Sequence, residues 1–98
     1  MVVRLHPEAL AEFAEAVGFY EERVPGLGRE LFDEVQRVLR IIEGNPGLGS
    51  PFDPPFRRVY CRRFPFGVVY REDEKEGVLW IQAVMHLRRR PGYWRGRR

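Results

Sequence analysis

Residues 77–87 have the sequence Gly-Val-Leu-Trp-Ile-Gln-Ala-Val-Met-His-Leu, a β-branched and aromatic run that predicts a strand. Successive side chains of a strand point to opposite faces of a sheet. One set in this strand is uniformly apolar and comprises Leu79, Ile81, Ala83, Met85 and Leu87. The other set is mixed and comprises Trp80, Gln82, Val84 and His86. We therefore expect the first set to lie under helices and the second to face solvent or a ligand.

Two further strands are predicted immediately upstream, at residues 56–63 and 66–71. A Phe-Pro pair forms the turn between them, and the charged stretch at residues 72–77 forms the turn to the last strand. Because these connections are short, the three strands are expected to pair as an antiparallel meander. The Pro- and Gly-rich residues 45–55, which precede them, are predicted to form a loop.

The N-terminal half is predicted to contain a strand and two helices. Residues 2–5 are a short apolar run that ends at a His-Pro pair, which is typical of a strand followed by a helix start. Apolar residues then recur every three or four positions up to Arg23 and again from Leu27, which indicates two amphipathic helices. A Val-Pro-Gly break separates them, and Gly44-Asn45-Pro46 ends the second. The two helices are expected to form an antiparallel hairpin.

These elements predict a single α+β domain over residues 1–98, with the element order β-α-α-β-β-β. The N-terminal strand and the helical hairpin are expected to pack on a mostly antiparallel sheet of about four strands. A basic C-terminal tail follows the last strand.

The charge of the chain changes sign partway along. Residues 1–55 carry five Arg and ten Asp or Glu, a net charge of −5, whereas residues 56–98 carry a net charge of +8. Six of the arginines lie in residues 88–98, among the aromatic side chains of Tyr93 and Trp94. A basic half interleaved with aromatics suggests a surface that meets a polyanion.

The composition argues against several classes of protein. Cys61 is the single cysteine and cannot form an internal disulfide, which indicates a reducing compartment; we expect a cytoplasmic protein. No apolar run approaches the roughly 18 residues of a membrane span, so no membrane contact is expected. Two histidines and one cysteine are scattered along the chain, so neither a metal site nor a cofactor is predicted. Cys61 is predicted to be an inward apolar side chain rather than a nucleophile, and His6 to be structural.

The open face of the sheet is where we expect the chemistry. In the strand at residues 56–63, Val59 and Cys61 are expected to point inward. The open face would then gather Arg58, Tyr60, Arg62, Trp80, Gln82 and His86, with the arginine-rich tail leaving from its edge. Arginines and aromatic rings on one face suit a phosphate backbone with stacked bases.

The same face has the residue types for RNA cleavage by attack of a 2′-hydroxyl on the adjacent phosphate. Such a site needs donors for the charge that develops on phosphorus and groups that move protons. Arginine forms bidentate contacts with phosphate oxygens, and histidine is the residue type best suited to act as an acid or a base near neutral pH, a role we assign to His86. Tyr93 either gives a proton to the leaving oxygen or stacks on a base. Contact between Arg62 and His86 stays open, because the sequence does not fix the register of the strands.

Several segments of the chain resemble the RelE/ParE toxin superfamily. The stretch at residues 64–71, Phe-Pro-Phe-Gly-Val-Val-Tyr-Arg, is similar to its central hairpin, and residues 83–94 are similar to its closing motif. The opening His-Pro-Glu-Ala at residues 6–9, and the segments at residues 19–22, 25–28 and 42–46, fit its helical half. The resemblance covers nearly the whole chain, in the right order and with the right spacing.

This resemblance implies the toxin of a type II toxin–antitoxin module, also described as a plasmid stabilisation protein, with a labile, acidic and partly disordered antitoxin as its partner. The RelE-like branch cleaves mRNA on the ribosome, and the ParE-like branch poisons DNA gyrase. We favour metal-independent mRNA cleavage, in which Arg62 stabilises the phosphate charge and His86 or Tyr93 moves protons. The remaining contacts to nucleic acid are assigned to Arg58, Tyr60, Arg88, Arg89, Arg90 and Trp94.

Several alternatives stay open. The lysines that the RelE-like branch has before the strand at residues 56–63 have no counterpart here, and a non-enzymatic gyrase inhibitor fits the same sequence. An inactivated relative that only binds its antitoxin is a further alternative. Tyr93 and Trp94 are equally compatible with an anchor that fixes the tail to the sheet. A homodimer is also left open.

Overall fold

A helical hairpin covers one face of a five-stranded sheet in the computed structural model, which describes residues 1–90 and 92–97 and leaves out the side chain of Phe52. The elements are β1 (Val2–Leu5), α1 (Pro7–Arg23), α2 (Leu27–Gly44), β2 (Ser50–Asp53), β3 (Phe56–Tyr60), β4 (Phe66–Asp73) and β5 (Val78–His86). The α+β class and the position of the hairpin are confirmed. No helix in the described part of the chain has the length and apolar character to cross a membrane.

Local contacts explain the ends of the two helices. Pro7 begins α1, where the missing N–H costs nothing, and Nδ1 of His6 accepts a hydrogen bond from the Glu8 N–H at 3.1 Å. His6 is therefore structural, as predicted. At the hairpin the Glu21 carboxylate accepts the N–H groups of Gly26 and Gly28, at 2.9 and 3.0 Å. Gly28 also permits the close approach of the helices, because a Cβ there would lie 2.5 Å from a carbonyl oxygen of α1.

The sheet has the strand order β1-β5-β4-β3-β2, and β1 is parallel to β5 while the other pairs are antiparallel. The predicted count of about four strands is one too few, because residues 50–53 form β2 within the segment predicted as a loop. This short strand pairs with β3 at the edge of the sheet, where its Pro51 is tolerated. Strand β3 ends at Tyr60 rather than residue 63, and Arg63 takes a positive φ of 69°.

The main core lies between the helices and the sheet. Its buried members from α2 and the sheet are Leu31, Val35, Val38, Leu39, Ile42, Phe66, Val68, Tyr70, Leu79, Ile81 and Val84. Val59 and Cys61 pack against this core, which confirms their predicted inward orientation. The Tyr70 hydroxyl donates to the Pro46 carbonyl at 2.6 Å and accepts from the Gly49 N–H at 2.9 Å, so the loop before β2 is fixed to the sheet.

A β-bulge in β5 changes which side chains face the helices. Val69 pairs with Ala83 and Tyr70 pairs with Ile81, so Gln82 is the extra residue. An inserted residue reverses the alternation beyond it. Leu79 and Ile81 lie in the main core as predicted.

The prediction was wrong beyond this bulge. Ala83 and Met85 pack on the opposite, helix-free face, in a second cluster with Val69 and Trp94. Val84 lies in the main core, and His86 contacts Phe66 of that core. Leu87 follows the strand and is exposed. The two residue sets were therefore assigned correctly only for the first part of the strand.

Candidate functional site

A groove runs between α1, the end of β5 and the C-terminal residues 92–97, which we call the tail. This α1–tail groove has a volume of about 250 Å³. Its apolar floor comprises Ala16, Phe19, Tyr20, Phe66 and Val84, and its polar rim comprises Glu12, Glu15, His86, Arg89 and Tyr93. Two of the three predicted catalytic residues, His86 and Tyr93, therefore lie in one cavity with a predicted phosphate-binding arginine.

Glu12 joins α1, β5 and the tail. Its Oε1 accepts from the Val84 N–H at 3.2 Å and from Nη1 of Arg97 at 2.7 Å. Its Oε2 accepts from the Tyr93 hydroxyl at 2.5 Å and from Nη2 of Arg97 at 3.0 Å. The Arg97 side chain is only 10% exposed, and Glu12 is 16% exposed. The amphipathic pattern of α1 would place its glutamates on the solvated face of the helix, and Glu12 departs from that pattern.

Tyr93 is held in place from several sides. Its hydroxyl donates to Glu12, and the guanidinium carbons of Arg89 and Arg97 lie 4.0 and 5.0 Å from its ring centroid. Burial raises the pKa of Tyr93, and the hydrogen bond to the Glu12 carboxylate raises it further. The proton that was predicted to reach a leaving oxygen is thus engaged within the protein.

This environment gives a prediction at alkaline pH. The unfolded chain releases a tyrosine proton near pH 10, whereas the raised pKa keeps Tyr93 protonated in the folded state. The stabilisation is therefore complete below about pH 10 and declines as the pH rises above it. Burial also raises the pKa of Tyr70, which adds to the decline. We expect the free energy of unfolding, measured in urea across this pH range, to fall less steeply for Tyr93→Phe than for the unchanged protein. If the free energy of unfolding falls equally steeply with pH for both proteins, the raised pKa of Tyr93 is contradicted.

His86 lies on the helix side of β5, not on the open face where it was predicted. Its Nδ1 accepts the Arg88 N–H at 3.1 Å, so the neutral ring carries its proton on Nε2. The ring meets Phe66 edge-on, with centroids 5.2 Å apart. The bulge at Gln82 is the physical reason for this placement.

Arg62 lies beside a different cavity, at the edge of α2. Its backbone N–H donates to Oε2 of Glu34 at 2.5 Å, and its side chain lines a cavity of about 450 Å³ with Arg37 and Arg63. Paired hydrogen bonds from Arg37 lower the pKa of Glu34, against the opposing effect of burial, and the Arg62 N–H lowers it further. Arg62 and His86 therefore line separate cavities.

The residues predicted to bind nucleic acid are spread over several surfaces. Arg58 and Tyr60 lie on the helix-free face, with the guanidinium carbon 4.6 Å from the ring centroid. Three arginines are exposed beyond β5, namely Arg88, Arg89 and Arg90. Trp94 is fully buried on the helix-free face, where its ring lies 4.6 Å from that of Phe56. It anchors the tail, and a nucleic-acid base cannot reach its ring while the tail is docked.

The other residues singled out in the sequence have structural surroundings. Burial raises the pKa of the Cys61 thiol to about 11, so the thiol is protonated at neutral pH and is a poor nucleophile. Within residues 1–90 and 92–97, no three His, Cys, Asp or Glu side chains cluster as metal ligands would. The sequence did not identify the contacts of Gln82, which is buried and donates to the carbonyls of Trp94 and Arg97 at 3.1 and 2.6 Å. For Glu12 the sequence does contain a signal, because arginines that become buried need carboxylate partners.

Comparison with known proteins identifies the family. Residues 3–91 match the family described as ParE toxin of type II toxin–antitoxin system, parDE. A solved structure described as the chromosomal ParDE TA system from P. aeruginosa has a similar fold, with a TM-score of 0.66 and 19% identity over 89% of this chain and 96% of that chain. No curated protein matches the sequence. Because the family match spans most of the chain, the protein belongs to the ParE toxin family of type II toxin–antitoxin systems.

Proposed function

We propose that this protein is a toxin that acts by binding DNA gyrase, without cleaving mRNA. The observation that carries the proposal is the separation of the predicted catalytic residues, since Arg62 lines the cavity beside α2 whereas His86 and Tyr93 line the α1–tail groove. The choice of gyrase as target rests on the match to the ParE toxin family, since the ParE-like branch of the superfamily poisons gyrase.

The separation matters because RNA cleavage takes place around a single phosphate. The group that stabilises the phosphate charge and the groups that move protons must all reach it at hydrogen-bond distance. Arg62 is beside Glu34 of α2, and the Tyr93 hydroxyl already donates to Glu12 with a raised pKa. A surface that binds a protein has no such requirement.

A second candidate is the mRNA cleavage favoured on the sequence alone. The observation in its favour is that His86, Arg89 and Tyr93 line one groove. In this version Arg89 would replace Arg62 as the phosphate ligand, and His86 would move protons. The two candidates differ in whether His86 is needed.

We also propose a cognate antitoxin as the partner that neutralises the toxin. Arg88, Arg89 and Arg90 are exposed next to the α1–tail groove, which suits an acidic segment. The floor of the groove offers Phe19, 47% exposed, to apolar side chains of the same partner.

The proposal is tested by running two assays on the same purified protein. One follows supercoiling by purified gyrase, and the other follows new 5′ ends by primer extension on an mRNA in a reconstituted translation reaction. We expect loss of supercoiling with intact mRNA, both for the unchanged protein and for the double variant Arg62→Ala, His86→Ala. The matched control is Arg63→Ala, which removes a neighbouring charge that pairs with Glu30.

Two other outcomes would reject the gyrase proposal. Ribosome-dependent 5′ ends that disappear with His86→Ala would assign mRNA cleavage and reject the gyrase proposal. Supercoiling and mRNA that are both unaffected, by a protein that still binds its antitoxin, would identify an inactivated relative.

A further inference from the structure

The strand register brings two arginines to either side of a tryptophan on the helix-free face. Arg4 of β1 pairs with Trp80 of β5, and Arg71 of β4 pairs with the same Trp80 from the other side. Neighbouring strands lie about 4.8 Å apart, so the two arginine backbones are about 10 Å apart. We call these three residues the Arg4–Trp80–Arg71 row.

All three side chains point away from the helices. Leu79 and Ile81, which flank Trp80, lie in the main core, and alternation directs Trp80 to the other face. Val3 and Leu5 pack against the same core on either side of Arg4. The pairing with Trp80 puts Arg71 on that face as well. The row therefore lies on the face that carries Arg58 and Tyr60.

The charges of the row are not neutralised within the described residues. Other arginines have carboxylate partners there, as in the pairs of Arg37 with Glu34 and Arg97 with Glu12, whereas Arg4 and Arg71 have no ion pair with a described carboxylate. Asp73, on the same face, accepts the Glu76 N–H in the turn after β4. Among residues 1–90 and 92–97, these two cationic groups thus lie on the two strands that flank β5 without a carboxylate counter-ion.

We propose that the Arg4–Trp80–Arg71 row binds single-stranded nucleic acid. One base would stack on the partly exposed indole of Trp80, and the two guanidinium groups would contact the phosphates on either side. A single strand fits better than a duplex, because the bases of a duplex are already paired and stacked on one another and cannot stack on the indole. This surface is distinct from the α1–tail groove and goes beyond the proposed inhibition of gyrase.

A second aromatic contact lies further along the same face. Tyr60 is 50% exposed, and Arg58 lies over its ring. Gly67 makes room for this pair, since a Cβ there would lie 3.3 Å from the Arg58 side chain. Gly67 and Arg71 are four residues apart on β4, which separates the two contacts by about 13 Å along the strand. A strand of several nucleotides would reach both.

The test is a titration of the full-length protein with fluorescein-labelled oligothymidylate, followed by anisotropy and by tryptophan emission. Stacking is expected to quench Trp80, and the Trp80→Leu variant, in which the buried Trp94 is the remaining tryptophan, gives the emission that is not quenched. Arg4→Gln with Arg71→Gln is expected to weaken binding at least about 10-fold and to reduce the salt slope by about 1.4, since each phosphate contact contributes about 0.7 for single strands. Trp80→Leu is expected to abolish the quenching and weaken binding about 10-fold.

The matched control is Arg23→Gln with Arg40→Gln, which removes the same charge from the helices. We expect its affinity to stay within about 2-fold of the unchanged protein, since long-range charge alone is screened. Equal weakening by the control pair would show that affinity follows net charge only and would overturn the proposal. Tighter binding of a duplex of the same length would overturn it in favour of a duplex surface. Circular dichroism would detect a folding defect in Trp80→Leu. In that case the double variant Arg4→Gln, Arg71→Gln still tests the proposal.

Discussion

Trp94→Ala is expected to lower the free energy of unfolding by about 3–5 kcal/mol, the usual cost of deleting a large buried aromatic side chain. Trp94 is fully buried and packs with Val69, Ala83 and Met85 on the helix-free face. A domain of this size has a total stability of about 5–15 kcal/mol, so the variant would be close to unfolding. Urea denaturation followed by circular dichroism measures the difference.

The matched control for this prediction is Trp80→Ala, which removes the same side chain from a partly exposed position on the same face. We expect it to cost less than half as much, because the indole of Trp80 leaves less cavity behind and loses fewer contacts. Equal losses for both variants would show that the docked tail adds nothing beyond ordinary sheet packing. A loss below about 1 kcal/mol for Trp94→Ala would contradict the anchor itself.

The helical half could be predicted because its signals are local. The apolar periodicity and the breaks at Val24–Gly26 and Gly44–Pro46 set the bounds that α1 and α2 have in the structure. Strand β2 could not be predicted in this way. Its Ser-Pro-Phe-Asp sequence is typical of a loop, and it is a strand because its backbone pairs with the next strand, β3, as Ser50 does with Arg58.

The candidate site was predicted less well, because its geometry depends on contacts between distant residues. The bulge at Gln82 arises from the pairing of β4 with β5, and the residue types in β5 do not predict it. Glu12 meets Val84 and Arg97 across 72 and 85 positions of the chain. The apolar periodicity of α1 predicts a solvent-exposed position for Glu12. In the folded protein the tail packs against this position and covers it. The residue types of the groove were predictable, but their partners were not.

Glu12→Gln is the second large effect that we expect, a loss of about 2–3 kcal/mol in the free energy of unfolding. The neutral amide takes the nearer carboxylate from the Arg97 guanidinium, which is only 10% exposed, and leaves it with the more distant Glu8 carboxylate at 3.7 Å; weakening the pairing of a largely buried charge is strongly destabilising. The amide keeps one acceptor oxygen and replaces the other with a donor, so one of the hydrogen bonds from the Tyr93 hydroxyl and the Val84 N–H is lost. Because Glu12 is not fully buried, the expected loss lies below the range for a completely buried pair.

Glu15→Gln, one turn further along α1 and exposed, is the matched control and is expected to change stability by less than about 0.5 kcal/mol. The cause of the loss is tested by combining Glu12→Gln with Arg97→Met, because the second substitution removes the positive charge that has lost the Glu12 carboxylate. If that charge accounts for the loss, the double variant is more stable than the sum of the single losses predicts. Hydrogen exchange at the Val84 amide gives a second measurement, since this N–H at the edge of β5 is covered by Glu12. Additive losses with unchanged exchange would mean that Glu12 does not hold the tail against the sheet.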